Sequence, residues 1–318
     1  MHAVRLHTFG PAENLTYETV DDPRPGPGEV RIAVAAAGVH LLDTALRQGR
    51  HRGPAPPPEL PTVPGREVAG TVDALGVGTD PAWLGRRVVA HLGMVPGGHA
   101  ELAAVPADRL HAIPDSLDAG QAVAMIGTGR TTMGILLFAD LTADDIAIVP
   151  AAAGGIGSLL VQYAKNTGAT VIGLAGGTAK VARARELGAD LAVDYTDDEW
   201  PSLVRGFLDA RAAPGAGIVF DSVGGAAGRA AVGLLAPGGP APRLRLVLRR
   251  PARRRPPGAD RRRAGGDNPL RTLETAALAE AAAGRLIPTV QTFPLAEAAA
   301  AHRALETRAT MGKVVLIP

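Results

Sequence analysis

The run Ala151-Ala152-Ala153-Gly154-Gly155-Ile156-Gly157-Ser158 follows Ile146-Ala147-Ile148-Val149, which reads as a buried strand. Ile156, Leu159, Leu160 and Tyr163 then fall on one face of a following helix. Glycines at such a strand-to-helix turn let the backbone approach a ligand, and the free N–H groups and positive dipole end of the helix meet an anion there. Ala153, Gly154, Gly155, Ile156 and Gly157 are therefore expected to cradle the pyrophosphate of a dinucleotide. NAD-binding proteins usually place an acid about 20 residues further on to hold the ribose hydroxyls. Here Gly173-Leu174-Ala175-Gly176-Gly177-Thr178-Ala179-Lys180 supplies none, and the first acid is Glu186. Lys180 suits a 2′-phosphate and Tyr195 follows the next strand, so NADPH is expected as the cofactor.

The elements that must carry this turn can be read from the pattern. From Ala3 to about Ile113 short strands alternate with Gly and Pro: Glu29 to Val34, Val68 to Leu75, Arg87 to His91 and Glu101 to Val105. After Ala119 the period becomes helical, and then strands alternate with helices. Thr170–Leu174, Leu191–Asp194 and Ile218–Asp221 read as strands, and Ala179–Leu187 reads as a helix stopped by Gly188. That alternation predicts a doubly wound parallel sheet. Leu295–Leu305 reads as a closing helix and Lys313–Ile317 as a closing strand.

The 318 residues suggest two domains. With 46 % apolar and 20 % charged residues the chain has the composition of a soluble globular protein. It has no cysteine, which removes disulfides, thiolate metal ligands and a cysteine nucleophile together. No apolar run has the length of a signal peptide or a membrane span, so a cytoplasmic location without membrane attachment is expected. The net charge of +2 conceals a local excess, because residues 241–263 hold ten arginines and one acid, Asp260. The remainder is acidic on balance, with 30 Asp and Glu against 23 Lys and Arg, so overall basicity is no argument for a nucleic-acid partner.

These motifs in combination resemble the zinc-independent quinone oxidoreductase branch of the medium-chain dehydrogenase/reductase superfamily. Ala37-Gly38-Val39-His40-Leu41-Leu42-Asp43 looks like the family's A-G-V-N-x-x-D, and Val63-Pro64-Gly65-Arg66-Glu67-Val68-Ala69-Gly70 looks like I-P-G-x-E-x-x-G. Gly97-Gly98-His99-Ala100-Glu101 is similar to G-G-Y-A-E, the turn at Ala151–Gly157 to A-x-x-G-x-x-G, and Gly312-Lys313-Val314-Val315-Leu316 to G-K-x-V-L. The resemblance covers residues 1 to about 239 and about 270 to 318. It implies an α/β fold, with a split GroES-like β-rich catalytic domain at 1–124, completed by 269–318, and a Rossmann NADPH-binding domain at 125–268. It also implies a homodimer that passes hydride from NADPH to a quinone, an enone or another small conjugated carbonyl compound. An enoyl-thioester reductase and a non-catalytic redox sensor or structural relative stay open as alternatives.

The same resemblance places His40 and Asp43 beside the nicotinamide and acceptor, as the candidate catalytic pair, and Thr131 in Gly129-Arg130-Thr131-Thr132 as a further cofactor contact. Zinc-dependent relatives place a cysteine where His40 stands and a histidine where Arg66 stands. His40 and Glu67 alone fall short of the three protein ligands that a catalytic zinc needs, and no metal is expected. His40, His51 and His99 stand where the family has Asn, Tyr and Tyr; lining the cleft as in the family, they would make the pocket rich in imidazole, and polar substitution with no catalytic role is the favoured alternative.

Residues 240–268 do not fit the family. Pro242, Pro251, Pro256, Pro257 and the clustered arginines are poor material for the sheet strand expected there. A basic insertion binding an acidic surface is one origin. A shifted reading frame that recovers near Asn268-Pro269-Leu270 is the other, favoured by the abrupt edges and the matching flanks. Poor packing of this segment is expected in either case, because ten arginines have one acid among them.

Overall fold

Residues 1–50, 58–237 and 268–318 are described in the structure, a computed structural model. His51 and nearly all of the arginine-rich stretch lie outside them. The chain opens with β1 (His2–Leu6), β2 (Leu15–Thr19), β3 (Glu29–Val39), α1 (Leu41–Arg47), β4 (Glu67–Leu75), β5 (Arg87–His91), β6 (Leu102–Pro106) and β7 (His111–Ala112). Next come α2 (Ala119–Ala124), a π-helical turn at Met125–Gly129, and α3 (Arg130–Leu136). Strands and helices then alternate as β8 (Ile146–Pro150), α4 (Gly155–Asn166), β9 (Thr170–Ala175), α5 (Thr178–Glu186), β10 (Leu191–Asp194), α6 (Trp200–Asp209), β11 (Ile218–Val219) and α7 (Gly225–Val232). Beyond the undescribed stretch stand α8 (Pro269–Ala282), β12 (Val290–Pro294), α9 (Ala298–Glu306) and β13 (Lys313–Ile317).

Two units result: Met1–Thr128 with Thr289–Pro318, and Gly129–Pro288. The first holds a sheet ordered β12-β13-β3-β4-β5-β7, with β6 also on β3. Its pairs are antiparallel apart from β12–β13. Along β3 the alternating Val30, Ile32 and Val34 are buried, as a strand with one core face requires. Two register shifts against β4, at Arg31/Ile32 and Val34/Ala36, bend the long strand. Beyond the bends the register resumes with Ala36 opposite Ala69 and Ala37 opposite Val68.

The second unit carries the parallel order β10-β9-β8-β11, the first four strands of a Rossmann sheet. Ala147, Ile148 and Val149 are all 0 % exposed, the continuous apolar run of a strand covered on both faces. After α7, Leu235 bridges Ala216 in parallel, at the sheet edge where a fifth strand would continue, and the described chain stops two residues later at Pro237.

The chain returns to the first unit at Thr289, where the sequence reading has the return at residue 269. The intervening α8 is tied to α3 by Arg130 Nη1 to Glu274 Oε1 at 2.7 Å, and Leu286 and Ile287 run along α4 through Ile287 N to Gln162 Oε1 at 2.8 Å. Among the described residues no helix is long and apolar enough to cross a membrane.

His302 of α9 is a polar group in the core of the first unit. It is 0 % exposed, and neither ring nitrogen has a hydrogen-bond partner among the described residues. Burial, followed by the nearby His99, pushes its pKa down from 6.5 to about 3. The unfolded imidazole takes a proton near pH 6.5 and the folded one resists until about pH 3, so stability present above pH 6.5 is lost as the pH falls. In His302→Leu, about 3 kcal/mol of the stability loss between pH 6.5 and 4 should disappear. Urea midpoints across that range check this, and parallel curves for the two proteins would contradict it.

Candidate functional site

Strand register brings four polar residues to one place in the first unit. Pairing of Val39 with Val314 places His40 across from Lys313 one step further along, and Ala37 with Val68 likewise sets Gly38 across from Glu67. Glu67 also pairs directly with His91 of β5. The side chains close into a triangle: Lys313 Nζ is 2.7 Å from Glu67 Oε2 and 2.8 Å from His40 Nε2, which is itself 2.5 Å from Glu67 Oε1. His91 Nε2 stands 4.0 Å from the same Oε1.

Glu67 is 0 % exposed, and its slot exists because two neighbours are glycines. A Cβ on Gly38 would lie 2.3 Å from Oε2, and one on Gly127 in the π-helical turn 1.5 Å from Oε1. Burial alone would raise the carboxyl pKa, but His40, Lys313 and His91 outweigh burial and hold it well below the usual carboxylate range. His40 is the most open corner, with 27 % of its side chain exposed against 4 % for Lys313. Its Nε2 can carry a hydrogen toward Glu67 or accept one from Lys313, so the triangle can hold and pass one proton at that atom.

Asp43 is buried in the first turn of α1, where its Oδ2 accepts the His40 N–H at 2.7 Å and holds the backbone of that residue at the helix entrance. Its Oδ1 lies 3.6 Å from Arg66 Nε. His99 departs from expectation. Instead of enriching a pocket in imidazole it is 0 % exposed, packs over Gly65 and meets the Gly38 carbonyl through Nε2 at 3.2 Å. Burial pushes its pKa down, which keeps it neutral in the core.

In the second unit the glycine turn is built as a cradle. Ala151 takes a left-handed φ of 52°, its carbonyl accepts the Gly154 N–H at 2.8 Å, and Gly154 enters α4 in extended conformation. A Cβ on Gly157 would sit 2.1 Å from the Ala151 carbonyl oxygen, so the tight approach of helix to turn demands glycine there. Ala153 is buried behind the turn, while Gly154, Gly155 and Ile156 stay partly open at the end of the helix, where the first N–H groups have no intrahelical acceptor.

Lys180 lies in the first turn of α5, against the helix dipole, after Gly177 with its φ of 87°. Tyr195 follows β10 and brings its hydroxyl over Gly176, 3.1 Å from where a Cβ would be. Asp194, at the end of β10, is an acid that spacing along β9 could not reveal. Its oxygens are taken by the N–H of Gly177 at 2.9 Å and by the Thr196 N–H and hydroxyl at 2.9 and 2.7 Å. Thr131 is half-buried in the first turn of α3.

Lys313 was visible only as part of a closing motif, and its partnership with Glu67 is a matter of register. Among the described residues no three His, Asp or Glu side chains gather as metal ligands. The Glu67 oxygens face Lys313 and His40, so the donor set does not fit a zinc ion.

Residues 26–115 match the alcohol dehydrogenase GroES-like domain, and residues 187–316 the zinc-binding dehydrogenase family. The chain is 31 % identical to a 2-haloacrylate reductase of Burkholderia sp., over 99 % of this chain and 98 % of that protein. It is 31 % identical to a quinone oxidoreductase of Pseudomonas aeruginosa, over 99 % of each. The solved quinone oxidoreductase of Escherichia coli complexed with NADPH superposes with a TM-score of 0.80 at 26 % identity, covering 100 % of both chains.

The Glu67 slot yields a stability test. Gly127→Ala must displace a buried, paired carboxylate and should destabilise by at least about 3 kcal/mol. Gly206→Ala, inside α6 with open space where its Cβ would stand, should stabilise by about 0.5–1 kcal/mol. Thermal melts of both variants check the pair, and a neutral Gly127→Ala would show that the slot is loose.

Proposed function

Because the chain belongs to the quinone oxidoreductase-like branch of the medium-chain dehydrogenase/reductase superfamily, we propose that it reduces a quinone or another conjugated carbonyl compound with NADPH and without a metal. The observation that carries this reading is the turn at Ala151–Gly157, where a glycine at 157 lets α4 start hard against the Ala151 carbonyl and leaves the start of the helix partly open at Gly155 and Ile156.

The cradle fits a pyrophosphate. The free backbone N–H groups of the first helical turn, at Gly155, Ile156 and Gly157, meet its charge, while Gly154 and Ala153 shape the turn. Lys180 and Tyr195 hold the adenosine phosphate, and Thr131 is a further cofactor contact. Asp194, committed to Gly177 and Thr196, offers little to a ribose diol, which favours NADPH over NADH. NADPH, when bound, supplies the hydride.

The chain's own contribution to the acceptor is positioning and a proton. His40 is the donor at Nε2, resupplied through Lys313 and balanced by Glu67. Asp43 holds the His40 backbone and acts through it.

Lys180→Ala should raise the dissociation constant for NADPH at least tenfold and leave that for NADH within about twofold, by loss of a charge-assisted contact to the 2′-phosphate. Equal affinity of the unmutated chain for both cofactors, measured by fluorescence titration, would defeat the NADPH assignment. Exhaustive chelation should leave turnover unchanged, and loss of activity that returns with zinc would defeat the metal-free reading.

A further inference from the structure

The first unit contains a pocket of about 240 Å³ whose walls are mostly apolar, including Leu6, Leu46, Pro64, Met94 and Pro96. Two buried arginines, Arg47 and Arg66, line it as well. Arg66 is poorly partnered: its nearest protein groups are Asp43 Oδ1 at 3.6 Å, beyond hydrogen-bond distance, and the Met94 sulfur at 3.8 Å. Its buried Nε has no acceptor among the described residues. Arg47 pairs with Glu306 through Nη2 alone, and its Nε and Nη1 are likewise buried without an acceptor. Burial lowers the Arg47 pKa, a sign of a cation short of compensation.

Buried N–H donors on a cation are rarely left unmet. Of the carboxylates on the same wall, Asp43 gives Oδ2 to the His40 N–H, and Glu59 is exposed. A ligand with one anionic oxygen pair and a short apolar body would meet both the charge and the walls. The volume lies below the roughly 300–1,000 Å³ of pockets for drug-sized ligands, which suits a small acid better than a ring-fused quinone.

The geometry points to this pocket as a carboxylate subsite, with Arg66 as the residue that selects a small α,β-unsaturated acid as acceptor. This rests on the reductase reading above and narrows it. Reduction of such an acid breaks the C=C π bond. Hydride from NADPH forms the new C–H bond at the β carbon, a proton adds at the α carbon, and NADPH leaves as NADP⁺. A carboxylate resists added electron density, and a guanidinium paired with it stabilises the charge that builds up as hydride arrives.

The test is calorimetric titration of the cofactor-free full chain, in carboxylate-free buffer, with but-2-enoate and with its neutral amide. The acid should bind at least tenfold more tightly than the amide. Arg66→Met should erase that ratio and Arg66→Lys should keep part of it. With NADPH present, the ratio of kcat/KM for the acid to that for its methyl ester should fall at least tenfold in Arg66→Met. Equal binding of acid and amide to the unmutated chain, or no binding of either, would overturn the subsite without reference to any variant. NADPH titration of the same preparation separates the two readings. Tight NADPH binding without acid preference overturns the subsite alone. Acid preference without NADPH binding overturns the reductase reading and leaves the pocket as an anion site.

Discussion

A carboxylate with no access to water must find its counter-charge inside the protein, and Glu67 finds it on a residue near the other end of the chain. The ion pair with Lys313 joins β4 to β13, so the first unit is complete only when its late segment has returned to the early sheet. Such a pair contributes little net stability, because desolvation of both ions offsets most of their attraction, but either partner left alone is heavily penalised. The interaction therefore acts as a lock on register more than as a source of free energy. A one-residue slip of β13 against β3 would carry Lys313 away from Glu67 and interchange the two faces of a strand whose Val314, Val315 and Leu316 are all buried.

The backbone around the lock is shaped by the same need. Gly38 and Gly127 lack side chains where Glu67 requires room, and Gly127 sits in a π-helical turn, a widened stretch of helix common near functional groups. The register shifts in β3 lie just before Gly38, where the strand turns to aim His40 at the triangle. Asp43 then fixes the start of α1 so that this aim is kept. Each device positions the one corner of the triangle that remains partly open.

Local pattern made much of this legible. Strands such as Arg87–His91, Leu191–Asp194 and Lys313–Ile317 stand where alternation or apolar runs placed them, because their burial repeats within a few residues. The glycine turn was legible because a strand, the four small residues Ala151–Gly154 and a helix lie in immediate succession. What stayed hidden depends on contacts between distant segments. Lys313 gains its role from pairing with β3, and Asp194 is tied to Gly177 by the neighbouring strand's end, so spacing along one strand could not expose either. The place of His99 was left open for the same reason. Its position in the family motif allowed either a pocket residue or a polar substitution without a catalytic role, and packing over Gly65 places it in the core.

The buried charges of the first unit fall into two kinds, and the difference bears on function. Glu67 is enclosed by Lys313, His40 and His91, so its oxygens are already met inside the protein, and a metal ion would have to displace Lys313 to reach it. Arg66, whose buried Nε lacks an acceptor among the described residues, brings a fixed positive charge to a pocket wall. A metal polarises an acceptor by drawing electrons through a coordinate bond, whereas a guanidinium does so through hydrogen bonds and charge alone. The second route is weaker for a neutral ketone and strongest for an acceptor that already carries a negative charge, since only such a group gains both the hydrogen bonds and the full Coulomb attraction. In the reaction proposed above, a guanidinium on this wall therefore favours an anionic acceptor over a neutral one.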